Sequence, residues 1–215
     1  DVGFAFDGDA DRCLAVDENG ELIDGDRILA VCGKYMKEHQ ALEKNTIVGT
    51  VMSNLGLSIM GKANDITIKQ ANVGDRYVLE QMLKEGYNLG GEQSGHIIFL
   101  DHNTTGDGVL TAIQFLTVMV RTGKKASELA SVMEVLPQVL VNARVNNAKK
   151  NTYLEVPAIA EAIHALEEQF SGDGRVLIRT SGTEPLIRIM IEGKDTKKMR
   201  QEAEKLAAFI EDQLQ

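Results

Sequence analysis

The chain has 215 residues, of which 43% are hydrophobic and 26% are charged, and its formal net charge is -9. This length allows one large domain or two smaller domains with real cores, and the acidic balance argues against broad binding to nucleic acid or to an anionic membrane. No apolar run approaches the ~20 residues that span a bilayer. The only cysteines are Cys13 and Cys32, and with no signal-peptide pattern they predict a reducing, cytoplasmic setting.

Strand and helix patterns alternate up to residue 136. Strands are predicted at residues 2–6, 13–17, 46–51, 66–70 and 96–100, and helices at 26–40, 55–63, 76–86, 107–123 and 124–137. Alternation of this kind predicts the α/β class, here an α/β/α layered domain whose mixed sheet is covered on both faces.

The pattern changes after Pro137. The segments that follow are a strand at 139–145, an apolar helical stripe over 156–170, strands at 175–179 and 186–193, and a final helix. This β-α-β-β-α order predicts a smaller α+β domain at the C-terminal end.

Three domain segments are therefore predicted. Residues 1–19 are the tail of a preceding α/β domain that carries an acidic loop, residues 20–136 are the α/β/α domain, and residues 138–215 are the α+β domain. The chain opens with Asp1 rather than Met, and the strand-like VGFAF follows with no lead-in. We therefore expect that the natural N-terminal part of the protein is missing.

The stretch DGDADR places Asp7, Asp9 and Asp11 at alternate positions between two apolar runs. Carboxylates this close repel one another, so a cation is expected among them, and oxygen ligands of this kind suit Mg²⁺. An EF-hand would match these positions and Glu18, but it needs Gly where Arg12 stands and helices on both sides. A solvated acidic turn is the remaining alternative to a Mg²⁺ site.

The stretch GGEQSGH packs Glu92, Gln93, Ser94 and His96 between glycines, which allow a ligand to approach the backbone closely. Glu and Ser suit neighbouring sugar hydroxyls, because a carboxylate accepts hydrogen bonds and a hydroxyl both donates and accepts them. A Gly-rich hairpin with polar decoration is the alternative.

The stretch RTSGTEP predicts a phosphate-binding loop, since it combines an arginine, hydroxyls and exposed backbone N–H groups. The residues concerned are Arg179, Thr180, Ser181, Gly182 and Thr183. Arg188 on the next strand lies on the opposite face from Ile187 and Ile189 and could add a second charge. A simple Thr- and Ser-rich turn is the alternative.

Two other loops are less specific. Asp75 in NVGDRYV either caps the following helix or leaves its N-terminus open to an anion. Asp107 in TTGDG is expected to cap the apolar helix after it.

In their order along the chain, the three loops resemble those of the α-D-phosphohexomutase superfamily. DGDADR resembles its Mg²⁺ loop, GEQSGH its sugar-specificity loop and RTSGTEP its phosphate loop. GGEQSGH followed by LDHNTTGDG is most similar to the phosphoglucosamine mutases. Phosphomannomutase/phosphoglucomutase members rank second, because they generally carry a different residue in place of Gln93.

The resemblance implies a role for each loop. Asp7, Asp9 and Asp11 would hold Mg²⁺, with Arg12 beside the transferring phosphoryl group. Glu92 and Ser94 would hold sugar hydroxyls and His96 would assist proton movement. The non-reacting phosphate would be held by Arg179, Ser181, Gly182, Thr183 and Arg188.

The resemblance also implies a four-domain enzyme that interconverts glucosamine 6-phosphate and glucosamine 1-phosphate through a phosphoserine and a bisphosphate intermediate, for amino-sugar nucleotide and cell-wall precursor synthesis. The family's phosphoserine motif does not occur in this sequence. A sugar-phosphate-binding module without chemistry is therefore the favoured interpretation of the chain as it stands. The implied partners are a sugar phosphate, the missing N-terminal domains and, in the parent enzyme, a second subunit of a homodimer, with no nucleic acid or membrane.

Overall fold

A computed structural model describes residues 1–172 and 174–214. The chain forms two compact units, Asp1–Val135 and Leu136–Gln215. Residues 1–19 belong to the first of these units, and their assignment to a preceding domain stays a prediction. Among the described helices, none is long and apolar enough to cross a membrane.

The first unit contains seven strands and five α-helices. The strands are β1 (Gly3–Phe6), β2 (Cys13–Val16), β3 (Leu22–Ile23), β4 (Thr46–Thr50), β5 (Thr67–Ala71), β6 (Leu89–Gly91) and β7 (Ile97–Phe99). The helices are α1 (Gly25–Glu38), α2 (Leu55–Ala63), α3 (Asp75–Glu85), α4 (Gly108–Thr122) and α5 (Ala126–Ala130).

The main sheet has the order β5-β4-β6-β7. Strand β4 runs parallel to β5 and β6, and β7 is antiparallel to β6. Successive side chains of a strand point to opposite faces, so Ile47 enters the core that includes α1 and α4, and Val48 enters a separate core with Val78 and Met82 of α3. Both faces are covered, and the predicted α/β/α layering with a mixed sheet is confirmed.

Strands β1, β2 and β3 form a small antiparallel sheet in that order. The sequence predicts a buried strand at residues 2–6, but β1 is largely exposed, and Phe6 retains 44% of its surface. The reason is that β1 lies at the sheet edge and pairs only with β2 within the described residues. Phe4 alone reaches inward, where its ring packs edge-to-face on Phe115 of α4.

The predicted helix at 124–137 is much shorter in the structure, because α5 ends at Ala130. The Ser131 hydroxyl donates to the carbonyl of Glu128, and the next N–H groups bond three residues back rather than four. Such local side-chain bonds compete with helix propagation. The apolar stripe behind the prediction is real, since Met133 and Leu136 are buried.

Two aspartates differ in how they begin a helix. Asp107 caps α4 by accepting the N–H of Leu110 at 2.9 Å, as predicted. Asp75 does not cap α3, because the cap position is Gly74 and Asp75 already lies in the first turn. The carboxylate at Asp75 still favours that helix through the positive end of its dipole.

The second unit contains β8 (Gln138–Arg144), α6 (Pro157–Phe170), β9 (Arg175–Thr180), β10 (Leu186–Glu192) and α7 (Thr196–Leu214). A short 3-10 segment, Lys150–Glu155, precedes α6. The sheet is antiparallel with the order β8-β10-β9, and the helices bury their apolar stripes on it. The predicted β-α-β-β-α unit is confirmed.

Candidate functional site

The acidic loop connects β1 to β2 and turns sharply at Ala10, whose φ is 58°. The turn is closed by the Ala10 N–H, which donates to the carbonyl of Asp7 at 3.2 Å. The carboxylates of Asp7, Asp9 and Asp11 each offer an oxygen within 4.8 Å of the others. The two flanks are antiparallel strands rather than helices, so the EF-hand alternative is wrong.

Arg12 is the counter-ion of this loop. Its Nε donates to Asp7 Oδ2 at 2.6 Å, its backbone N–H donates to Asp7 Oδ1 at 3.2 Å, and Asp11 Oδ1 lies 3.6 Å from Nε. Burial acts to raise the pKa of Asp7, but the hydrogen bonds and charge of Arg12 outweigh it and lower this pKa. The pKa of Asp11 is raised by burial first, and then by the charges of Asp9 and Asp7.

These carboxylates fit Mg²⁺. Neighbouring oxygens around this ion lie about 3 Å apart at bond lengths of about 2.0–2.1 Å, so small side-chain rotations bring the three oxygens onto one ion. A cation would also relieve the repulsion that raises the pKa of Asp11. Arg12 already forms an ion pair with the Asp7 carboxylate, and it therefore competes with any metal ion for that carboxylate.

The GGEQSGH loop is a tight turn between β6 and β7. The Gly95 N–H donates to the carbonyl of Glu92, and the Glu92 N–H donates to the carbonyl of His96, both at 3.0 Å. Gly95 has a φ of 96°, a conformation that side chains disfavour. The turn leaves Ser94 exposed at its tip and Glu92 and Gln93 partly buried.

This loop docks on the beginning of α1, a contact that the sequence analysis did not foresee. The Gly25 N–H donates to the carbonyl of Gln93 at 3.0 Å, and the Gln93 amide donates to Asp24 Oδ2 at 3.2 Å. A Cβ at Gly25 would collide with the backbone oxygen of Glu92. Asp24 also caps α1, so its cap position was the only sequence signal for this contact.

His96 joins the sugar-type loop to the acidic loop. The histidine is 4% exposed, its backbone bridges Arg12, and its Nε2 lies 3.6 Å from Asp11 Oδ2. Its Nδ1 is buried without a hydrogen-bond partner among the described residues. A pocket of about 220 Å³ nearby is lined by Asp7, Arg12 and Ser94, among others. The structure therefore brings the predicted metal, catalytic and sugar residues together in the first unit.

The RTSGTEP loop lies in the second unit, between β9 and β10. Arg179 and Arg188 are direct cross-strand partners, so their side chains share one face of the sheet. Like charges placed opposite each other destabilise a sheet unless an anion lies between them. Arg188 also pairs with Glu184 at 3.0 Å, and that carboxylate offsets part of the charge.

The four residues after Arg179 differ in what they expose. Thr180 ends β9 and is half-buried, and Ser181 is 3% exposed, with its Oγ accepting the N–H of Glu184 at 3.2 Å. Gly182 and Thr183 are exposed, and their N–H groups have no acceptor among the described residues. The hydroxyl of Ser181 shapes the loop, while two free N–H groups face solvent.

Lys150 lies beneath this loop, a position that no sequence pattern predicted. It is 8% exposed, and its ammonium donates to the carbonyls of Ser181 at 2.8 Å and Glu184 at 3.1 Å. The polar stretch NNAKKNTY predicts an exposed lysine, so the local sequence does not indicate that Lys150 is buried.

Two family models match the chain. The model for the phosphoglucomutase/phosphomannomutase alpha/beta/alpha domain III matches residues 24–136, and the model for the C-terminal domain matches residues 140–209. The chain belongs to the phosphoglucomutase/phosphomannomutase family. The predicted relationship of the chain to this family of mutases is thereby confirmed, and the roles of the three loops stay predictions.

Curated relatives from this family are similar over the whole chain. The phosphoglucosamine mutase of Ruminiclostridium cellulolyticum is 62% identical over 214 residues, which cover 100% of this chain and 48% of that protein. The phosphoglucosamine mutase of Acetivibrio thermocellus is 61% identical over 214 residues with the same coverage. The chain spans about half the length of the curated relatives it matches.

Solved structures of the family share the fold. The N-acetylphosphoglucosamine mutase of Aspergillus fumigatus, in complex with GlcNAc-6P and magnesium, has a TM-score of 0.80 at 20% identity, and the match covers 100% of this chain and 49% of that one. A family protein from Burkholderia thailandensis has a TM-score of 0.77 at 20% identity over 100% of this chain and 48% of its own. At this identity the likeness establishes the fold alone.

Proposed function

We propose that this chain supplies the metal, sugar and phosphate sites of a phosphoglucosamine mutase, which interconverts glucosamine 6-phosphate and glucosamine 1-phosphate. The observation that carries the proposal is the contact of His96 with Asp11, at 3.6 Å, which joins the acidic loop to the GGEQSGH loop. The relatives at about 60% identity carry the same activity in their names.

In this proposal the acidic loop binds a cation that compensates the negative charge of the phosphoryl group. Asp7, Asp9 and Asp11 hold Mg²⁺, which when bound neutralises oxygens of the transferring phosphoryl group. Arg12, which pairs with Asp7, would contact the phosphoryl group if a metal ion engaged that carboxylate. The raised pKa of Asp11 falls when a cation joins the loop, because the two like charges beside it are then compensated.

The sugar loop presents one carboxylate and one hydroxyl. Glu92 accepts from sugar hydroxyls and the exposed Ser94 both donates and accepts. His96 assists proton movement through Asp11, because its Nε2 faces that carboxylate at 3.6 Å and its ring is buried. The side-chain amide of Gln93 donates a hydrogen bond to Asp24. Gln93 therefore contributes to sugar recognition indirectly, by holding the conformation of the loop.

The loop in the second unit holds the phosphate that does not react. Arg179 and Arg188 provide two forked charges on one face. The N–H groups of Gly182 and Thr183 and the hydroxyls of Thr180 and Thr183 provide further donors, while the buried Ser181 holds the shape of the loop through its hydroxyl. Holding one phosphate while the other end of the sugar reacts suits an interconversion of the 6-phosphate and the 1-phosphate.

The proposal for the isolated chain is narrower than that for the whole enzyme. The phosphoserine loop of the superfamily is not in this sequence, so the chain by itself is proposed to bind sugar phosphate without turning it over. The full mutase also needs the domains that complete its relatives, acts in the cytoplasm, and associates as a homodimer. The thiols of Cys13 and Cys32 are free, as a reducing compartment requires.

Calorimetric titration of the chain, with and without Mg²⁺, tests this proposal. Glucosamine 6-phosphate is compared with glucose 6-phosphate, mannose 6-phosphate and inorganic phosphate. Preferential binding of the amino sugar supports the phosphoglucosamine assignment. Equal binding of all three sugars and of phosphate would indicate a phosphate pocket without sugar selectivity and would leave the amino-sugar assignment unsupported, and no binding of any compound would contradict the binding sites.

Arg179→Ala is the matched variant for the phosphate loop. Loss of a charge-assisted hydrogen bond should weaken sugar-phosphate binding by about 1.5–3 kcal/mol. Arg200→Ala, an exposed arginine on α7, provides the control for a lost charge in the same unit. An unchanged affinity for Arg179→Ala would remove that residue from the site.

A further inference from the structure

Lys150 stands out among the charged side chains of the second unit, because it is 92% buried without a carboxylate partner. Its residue exposure is 8%, and no carboxylate lies within 4 Å of its ammonium in the described parts of the chain. Lysine is seldom buried unless it is paired. The acceptors that replace water are instead two backbone carbonyls of the RTSGTEP loop, those of Ser181 and Glu184.

These two bonds fix which way the loop faces. The described chain has no cis peptide bonds, and a trans peptide holds its C=O and N–H pointing in opposite directions. The carbonyl of Ser181 points inward to Lys150, so the N–H of Gly182 in the same peptide unit points outward. Among the described residues, no atom lies within 4 Å of the position that a Gly182 Cβ would occupy, and this side of the loop is therefore open to a ligand.

The remainder of the loop is held at its other end. The carbonyl of Glu184 accepts hydrogen bonds from the ammonium of Lys150 and from the N–H of Leu186. Glu184 and Leu186 are the residues directly before and after Pro185. The Ser181 N–H donates to the carbonyl of Leu186 at 2.8 Å. Lys150 itself is anchored by its backbone N–H, which donates to Asn146. One ammonium thus links both ends of the exposed segment.

We propose that Lys150 is a positioning residue for phosphate binding. Its ammonium draws the carbonyls of Ser181 and Glu184 inward, so that the N–H of Gly182 faces the bound phosphate beside the exposed Thr183. Because no carboxylate of the described residues lies within 4 Å of it, its charge adds to that of Arg179 and Arg188 on the ligand. This inference rests on the phosphate-binding role proposed for the loop.

The test uses the 15N-labelled 215-residue chain and inorganic phosphate as the probe. The amide signals of Gly182 and Thr183 are followed by NMR in the wild type, Lys150→Met, Lys150→Arg and Lys197→Met. Lys197 is an exposed lysine at the start of α7, beyond the opposite end of β10, so its variant controls for a lost positive charge. Amide exchange of Ser181 in the phosphate-free chain reports the loop itself.

Phosphate should move both amide signals in the wild type. Lys150→Met should weaken phosphate binding by about tenfold, as expected for lost charged hydrogen bonds, and should speed the exchange of the Ser181 amide by a similar factor. Lys197→Met should bind within about twofold of the wild type, and Lys150→Arg should recover part of the loss because it keeps the charge.

The outcomes separate the two proposals. If phosphate moves neither amide in the wild type, the phosphate assignment of the loop fails and this inference falls with it. If the wild type binds but Lys150→Met binds equally well with unchanged exchange, this inference alone is overturned. Should Lys150→Met fail to fold, the side-chain 15N signal of Lys150 in the wild type decides, and a signal that saturating phosphate leaves unmoved overturns the proposal.

Discussion

The GGEQSGH loop and the RTSGTEP loop both combine glycine with polar side chains, but the two glycines do opposite things. Gly95 has a φ of 96°, and a Cβ there would collide with the backbone carbonyl of Cys13. At Gly182 no atom of residues 1–172 or 174–214 lies within 4 Å of the corresponding Cβ position. The first glycine permits close packing within the protein, and the second leaves space in front of the loop.

The difference extends to how each loop is held. The first loop is fixed by backbone contacts, from Gly25 to Gln93 and from Cys13 to Gly95, each at 3.0 Å. The second loop is fixed from beneath by the ammonium of Lys150. A glycine in a polar loop motif therefore does not indicate one fixed role, and substitution of Gly95 and of Gly182 separates the two cases.

The largest effect is expected for Gly95→Ala. The left-handed backbone and the collision with Cys13 together should lower the free energy of unfolding of the first unit by about 3 kcal/mol. Native-state hydrogen exchange of the β7 amides measures this free energy within the unit. Gly182→Ala is the matched control and should change the stability of the second unit by less than about 0.5 kcal/mol. Equal losses in the two variants would show that the comparison is wrong.

The hydrophobic pattern predicted most of the fold, because long periodic segments such as α4 and α6 bury the stripes that the sequence shows. It did not predict the two-residue strand β3 or the 3-10 segment at Lys150, since such short elements have no measurable period. The same pattern predicted that β1 is buried, because a run of apolar residues does not distinguish an edge strand from a central strand.

The candidate site was predictable in its loops but not in its supports. Asp7, Asp9 and Asp11 are close in sequence, so their clustering follows from the turn alone. Asp24 and Gln93 are 69 residues apart, and Lys150 is 31 residues from Ser181. Contacts across such separations depend on the tertiary fold, which is why the loops appeared in the motif search and the residues that hold them did not.

A smaller effect on stability should come from substitution of Glu18. Its contact is made by the side chain, whereas backbone hydrogen bonds hold the sugar loop. Glu18 accepts from the Ser127 hydroxyl at 2.5 Å and from the Ser127 N–H at 3.3 Å, at the start of α5. The hydroxyl bond lowers the pKa of Glu18 below its usual 4.5, although burial opposes this. The contact therefore stabilises the fold above pH 4.5, and this stabilisation is lost as the pH falls through the lowered pKa.

Thermal unfolding of Glu18→Gln across pH checks this sign. The variant should melt below the wild type at neutral pH, and the difference should shrink as the pH falls well below 4.5. Glu21→Gln removes an exposed carboxylate from the same turn and should follow the wild type throughout. A gap between wild type and Glu18→Gln that stays constant down to acid pH would contradict the assignment.

The smallest effect concerns Cys13, whose thiol reports whether the sugar loop opens. The residue is 1% exposed, its backbone N–H bonds to Gly95, and burial raises the pKa of its thiol to about 11. At pH 8 about a thousandth of such a thiol is ionised, and Cys32 ionises still less, with a pKa of about 12. Neither cysteine should react with a disulfide reagent in the native chain, while both should react at least about a hundredfold faster in urea.

The Gly95→Ala variant tests whether Cys13 responds to the sugar loop. Peptide mapping after brief labelling of this variant should show faster modification of Cys13 but not of Cys32, because only Cys13 lies behind the loop. Equal acceleration at both thiols would mean that the variant loosens the whole unit rather than the loop.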